Sequence, residues 1–246
     1  MEIIPLEKMP LIEEGDDIGK LILDSAEEQG IEIEDEDVVV VAQTIISKAE
    51  GRVLNLENIE PGKEAINLSK KINQNPKIVE VILEETSEKI KVGESLIVET
   101  KHGFICANAG VDTSNVKEGK VTVLPKNPDK SAKRIKRKIE KKTQSEISVI
   151  ISDSQGRPFR IGALGFTIGL AGIKPINDLR GKQDVYDKRL ENTKTAPPDA
   201  LAAAATLEMG EKDEKIPSVL IKDAPYRKGK GRTSDLIRDK ENDLFR

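Results

Sequence analysis

Four consecutive valines, Val38 to Val41, restrict what this chain can become more than any other stretch. Branching at Cβ limits side-chain freedom in a helix and suits the pleated surface of a sheet, so the run predicts a strand. It offers water no polar face, and the strand therefore belongs in a buried sheet. Ile147 to Ile151 predicts a second buried strand, which delivers Ser152, Asp153 and Ser154 at its carboxyl end.

Helical spacing of Ile18, Leu21, Ile22 and Ala26 predicts a helix from Asp16 to Gln29, with Asp16 and Asp17 at the positive end of its dipole. Pro61 with Glu64, and Pro76 to Glu85, predict two more. From Lys89 to Val121, short β segments punctuated by Gly93, Gly103, Gly110 and Gly119 predict an antiparallel sheet. Lys130 to Lys142 reads as a basic amphipathic helix, Pro197 to Gly210 as a helix with a glycine stop, and Ser218 to Ile221 as a strand. The glycines between Gly162 and Gly172 predict close backbone packing.

With only four Phe, two Tyr and no Trp in 246 residues, the core must be aliphatic and stacking platforms for ring-shaped ligands are few. One cysteine forbids an internal disulfide, and with a single histidine no zinc finger can form, so any metal must sit on oxygen ligands. That favours hard cations such as Mg²⁺ or Mn²⁺. No apolar run reaches the roughly 18 residues of a membrane span, and Met1 to Lys8 lacks signal-peptide features, so a soluble cytoplasmic protein is expected. A net charge of −4 does not favour general nucleic-acid binding. The length allows one large domain over 1–246 or two small lobes, and the basic segment around Arg227 to Arg232 predicts a flexible loop within the C-terminal stretch 224–246.

Several residues could carry chemistry. His102 and Cys106, an even number of positions apart in a predicted β segment, would share a face, but no cysteine-hydrolase signature surrounds them. Asp112 lies in a polar turn with Thr113, Ser114 and Asn115, and Asp153 is a second carboxylate beside Ser154 and Gln155. Two carboxylates with hydroxyls can hold divalent ions that bridge phosphate oxygens, although either Asp can equally cap a turn. Lys48 follows the valine strand and can reach a phosphate or stand solvated. Neither a P-loop nor the dinucleotide fingerprint is present. The eight basic residues between Lys130 and Lys142 have no interleaved aromatics, which reads as a solvated face.

The motifs together resemble the F420 gamma-glutamyl ligase family. They are Ile46-Ser-Lys-Ala-Glu-Gly-Arg52, His102 to Asn115, Ile151-Ser-Asp-Ser-x-Gly-Arg157, Ile168-Gly-x-Ala-Gly172, Asp178-x-Arg-Gly-x-x-Asp184, Asp199, and Met209-Gly210-Glu211. The resemblance implies an α+β fold of mixed, largely antiparallel sheets with flanking helices, forming an intertwined homodimer. It implies a ligase that uses GTP and two divalent cations, Mg²⁺ or Mn²⁺, with K⁺ a further candidate. The substrates it implies are coenzyme F420-0 and L-glutamate, joined through an acyl phosphate, a further glutamate following by γ-linkage. Carried over by position, Asp112, Asp153, Ser154 and Glu211 match metal ligands, and Lys48, Asp112 and Asp153 are the catalytic candidates. Nucleotide contacts map to Met9, Pro10, Leu11, Ile12, Gln43, Thr44, Lys48 and Asn115, and to Met209, Gly210, Glu211, Lys212, Asp213, Glu214, Lys215 and Ile216. Against the family pattern, Ser154 stands for Thr, Gln43 for a small hydroxyl residue, Asp187 for Gly, and Lys222-Asp223 for Arg-Gly. The last two motivate an alternative, an amide ligase with a different acid acceptor. A non-enzymatic nucleic-acid-binding protein using Lys130 to Lys142 is the reading from another class.

Overall fold

The valines form the strand Val38–Ala42 at the centre of a five-stranded sheet. In the computed structural model, which describes residues 1–243 and 245, the strand order is Glu2–Pro5, Ser218–Lys222, Val38–Ala42, Ser148–Arg157, Arg160–Ala171. The two central strands run parallel, Val38 beside Ser148 and Ala42 beside Ser152, and the other neighbours are antiparallel.

Alternation along the strand explains why all four valines are buried. Val39 and Val41 enter one core with Ile18 and Ile22 of the helix Ile18–Glu28 and with Ile135 and Ile139 of the helix Pro128–Thr143. Val38 and Val40 enter the opposite core, under Leu201, Ala202 and Ala205 of the helix Pro197–Met209. Each valine is wholly buried, a contribution of about 1.5–3 kcal/mol apiece. A third core joins the helices Lys63–Ile72 and Pro76–Glu84 to an antiparallel sheet of Thr86–Val92, Leu96–Thr100 and Ile105–Ala107. The fold is thus α+β with largely antiparallel sheets and flanking helices, as expected. Among the described residues no helix is long and apolar enough to cross a membrane.

Two expectations need correction. Asp153 does not stand at a strand end: Ser148–Arg157 runs on past it and pairs with Arg160–Ala171 in a long hairpin. The apolar run that marks the buried strand stops at Ile151, whereas backbone pairing needs no apolar side chains and continues to Arg157. His102 and Cys106 do not share a β segment either. Cys106 lies in the strand Ile105–Ala107, but His102 occupies the preceding tight turn, where Gly103 has φ +89°. The turn breaks the alternation on which a shared face depends.

The glycine-rich stretch is the strand Arg160–Ala171; packing is the reason for Gly165 and Gly169, whereas Gly162 faces open space and its φ of +90° is what glycine permits there. A Cβ on Gly165 would stand 2.5 Å from the Ala202 carbonyl oxygen, and one on Gly169 2.6 Å from the Pro128 carbonyl carbon. The register shifts between Ile151 and Ser152, whose partners are Gly169 and Thr167, leaving Ile168 as the extra residue of a bulge. Beyond the sheet, Ile173 bridges Lys228, and the Thr233 hydroxyl donates to Asp129 Oδ1 at 2.6 Å. Residues 244 and 246 of the 224–246 segment lie outside the described residues.

Candidate functional site

A cavity of about 820 Å³ opens where the parallel pairing of Val38–Ala42 with Ser148–Arg157 ends, at Ala42 and Ser152. The loop Met9 to Ile12 follows the edge strand Glu2–Pro5 to its wall. From Val38–Ala42 the chain passes directly into the helix Gln43–Ala49, which brings Gln43, Thr44 and Lys48 to the cavity. Ser47 fixes this helix by donating to Val123 O at 2.8 Å and to Gln43 Oε1 at 2.9 Å.

Asp112 arrives from the smaller sheet's side. Its backbone pairs with Thr122 in both directions, at 3.1 and 2.8 Å, and its carboxylate accepts from the Ser114 backbone N–H at 2.8 Å and from the Ser114 hydroxyl. That Asx-type turn puts Asn115 at φ +53°, a left-handed conformation Asn tolerates better than most residues. Glu211 follows the end of the helix Pro197–Met209 and accepts from the Ser154 hydroxyl across the hairpin.

Every position carried over by resemblance lines this cavity except Glu214. The Glu214 carboxylate instead turns back on its own loop, accepting from the Lys212 backbone N–H at 2.7 Å. Ser114, Ser152 and Gln155, noted in the sequence only as neighbours of the two aspartates, also line the wall, as does Thr206, which the sequence did not single out. A signal existed for Gln155: the i, i+2 alternation of a strand places it on the face of Asp153, and its Nε2 donates to Asp153 Oδ2 at 3.2 Å.

The electrostatics of the wall are unbalanced. Burial pushes the Asp153 carboxyl up from 3.8 to about 6, the Gln155 hydrogen bond opposing and the charges of Asp112 and Glu211 reinforcing. Burial likewise pulls the Lys48 ammonium down, and among the described residues that ammonium has neither hydrogen bond nor ion pair. Cys106 also reaches the wall, but burial, with the Asp153 charge reinforcing, pushes its thiol up to about 12. A thiol so protonated is no nucleophile near neutral pH. His102 Nε2 lies 2.9 Å from Pro125 O and its ring stacks on Phe104 at 5.6 Å, a packing role.

The donors fit divalent cations in kind: carboxylates and a hydroxyl, all hard oxygen, around an Asp153 that lacks a positive partner. Among the described residues no three His, Cys, Asp or Glu side chains close on one point to hold an ion. Phosphate oxygens and water would have to complete the coordination, as is usual for Mg²⁺.

The departures from the family pattern fall elsewhere. Asp187 has φ +61° and Asp223 φ +52°, so where glycine is common the backbone is left-handed here too. Neither residue lines the cavity, nor does Lys222, which pairs with Glu34 at 2.5 Å and Asp37 at 3.5 Å. On the helix Pro128–Thr143, Arg134 pairs with Glu50 at 2.7 Å, Lys138 with Asp17 at 2.8 Å, and Lys136 with Glu140.

Residues 7–223 match the family described as F420-0:gamma-glutamyl ligase. The coenzyme F420:L-glutamate ligase of Methanothermobacter thermautotrophicus is 47% identical over an alignment covering 100% of this chain and 99% of that protein. That of Methanocaldococcus jannaschii is 49% identical, covering 100% and 97%, and that of Archaeoglobus fulgidus 39%, covering 100% and 96%. With a family match over most of its length and full-length relatives at these identities, this chain belongs to the F420-0:gamma-glutamyl ligase family.

Proposed function

We propose that this protein, a ligase of coenzyme F420 biosynthesis by family, uses GTP and divalent cations to join L-glutamate to the terminal carboxylate of F420-0. A carboxylate is a poor electrophile and needs activation before an amine can displace anything from it. In this reading a carboxylate oxygen of F420-0 attacks the γ-phosphorus of GTP, the bond to the bridging oxygen breaks and GDP leaves. The glutamate nitrogen then attacks the acyl carbon, phosphate leaves with the bonding pair, and the amine proton passes to solvent. A further glutamate is added by γ-linkage in the same way.

The observation that carries this is a Lys48 and an Asp153 on one cavity wall, neither with an ion pair among the described residues, in a volume within the roughly 300–1,000 Å³ of ligand sites. Lys48 supplies a fixed positive charge for phosphate oxygens. Asp112, Asp153, Ser154 and Glu211 would hold the divalent ions, which when bound neutralise charge spreading over the transferring oxygens. Ser114 and Gln155 orient the two aspartates through their hydrogen bonds. The loops Met9 to Ile12 and Met209 to Ile216 would grip the nucleotide, Glu214 acting through the shape of its loop.

The test is incubation with F420-0, L-glutamate, GTP and Mn²⁺, followed by product mass. A mass gain of one or more glutamyl units is expected, and its absence with GTP, ATP and other acid acceptors run in parallel would reject or redirect the reading. The reading includes a homodimer, supported by the exposed apolar side chains Phe159, Ile161, Val185 and Tyr186. Light scattering that returns a monomer would remove that part.

A further inference from the structure

A second, smaller cavity lies beside the first and shares Gln155 as a wall. Its volume is about 200 Å³, below the roughly 300–1,000 Å³ of sites for drug-sized ligands. Phe104, Phe166 and Leu236 make it partly apolar, but it also carries charge of both signs. Asp199, in the first turn of the helix Pro197–Met209, accepts from the Thr167 backbone N–H at 3.0 Å, the N–H beside the bulge at Ile168.

No Lys, Arg or His pairs with Asp199 among the described residues, and burial pushes its carboxyl up. Thr167 lines the same cavity, and its hydroxyl is buried. It lies near enough to favour the charged carboxylate, yet it meets hydrogen-bond geometry with no group. Such a polar atom, sealed from water, costs free energy unless a ligand satisfies it. Among the described residues Arg238, exposed on the cavity wall, makes one long hydrogen bond, from Nη1 to Asn242 O at 3.4 Å. Asp243 is the other charged side chain there.

An anionic group with an unspent hydroxyl, a guanidinium without an ion pair among the described residues and an apolar wall between them describe a small zwitterion. We propose that this cavity is the subsite for the amine donor, an α-amino dicarboxylic acid, with Asp199 and the Thr167 hydroxyl receiving its ammonium and Arg238 a carboxylate. The proposal rests on the ligase reading and extends it. Gln155 Nε2 is 3.2 Å from Asp153 Oδ2, so an amine held here stands one side chain away from the site where the acid is activated.

Isothermal titration of the full-length protein, with and without GDP and Mn²⁺, tests it with L-glutamate and with glutarate, which lacks the ammonium. L-Glutamate binds wild type at least about tenfold more tightly than glutarate, as expected for one charged hydrogen bond. Asp199→Asn weakens L-glutamate by about tenfold or more and abolishes that preference, while nucleotide affinity stays unchanged. Arg238→Ala weakens both ligands and leaves the preference. Equal binding of the two ligands to wild type, no binding of L-glutamate, or unaltered affinity in both variants overturns the subsite. If Asp199→Asn does not fold, the wild-type comparison and Arg238→Ala, at an exposed position, decide. Failure of the ligase reading shows separately, as absence of ligated product in the mass assay.

Discussion

Asp37 and Asp153 flank opposite ends of the parallel pairing between Val38–Ala42 and Ser148–Arg157, and their surroundings differ in kind. Asp37 precedes Val38, at the amino end, where its carboxylate accepts from the Glu34 backbone N–H at 2.8 Å and meets Lys222 at 3.5 Å. Nearby, Lys228 pairs with Glu36 at 3.5 Å and Glu146 at 3.3 Å. Asp153 lies past Ile151, at the carboxyl end, with a neutral Gln155 for a partner and two further carboxylates in range. Burial raises both carboxyls, but only at the amino end does a lysine answer. Charge matched within the chain is structure, and charge left unmatched on a cavity wall waits for a ligand.

Removing the unmatched charge should hurt activity most. Asp112→Asn and Asp153→Asn are expected to lower ligation on the order of a thousandfold, with circular dichroism unchanged, if they hold the metal ions. Near-wild-type turnover by both would break the comparison. At the matched end the cost moves from activity to stability. Lys222→Met strips a buried Asp37 of its lysine and should cost about 2–3 kcal/mol by denaturant unfolding, with turnover per folded molecule retained.

The third prediction reverses the sign. Because the folded-state carboxyl of Asp153 is raised from 3.8 to about 6, the native protein binds the extra proton between those values. Stability therefore falls as pH rises through that window and stays reduced above it. Metal-free Asp153→Asn has no such carboxyl and should be more stable than wild type by about 1–3 kcal/mol above pH 6, the gap closing toward pH 4. Thermal melts at pH 4 and pH 7.5 read this directly, and wild type melting higher at pH 7.5 would contradict it. The smallest effect is at Asp223, exposed with φ +52° and remote from the cavity. Asp223→Gly should stabilise by about 0.5–1 kcal/mol and leave acceptor choice unchanged. A changed acceptor preference would return that position to the substrate.

Much of this was legible beforehand because it is local. The valine quartet, the Lys130 to Lys142 amphipathic pattern and the Pro197 to Gly210 boundaries each encode their element in neighbouring residues. The family resemblance, carried over by position, implied one site for Asp112, Asp153, Ser154 and Glu211, and all four line the same cavity. Local pattern failed where pairing or a turn took over: the apolar run ended at Ile151 while the hairpin continued to Arg157, and Gly103 bent the chain between His102 and Cys106.

Tertiary structure decided what no spacing encodes. Only the folded chain leaves Lys48 without an ion pair among the described residues, turns Glu214 inward to its own loop, and seals the Thr167 hydroxyl beside Asp199. It also sent Lys222, adjacent to a left-handed Asp223, to the matched end of the sheet and away from the cavity. The physical reason is that side-chain type and periodicity determine which face of an element is buried. Whether a charge there finds its counter-ion depends on residues far away in sequence.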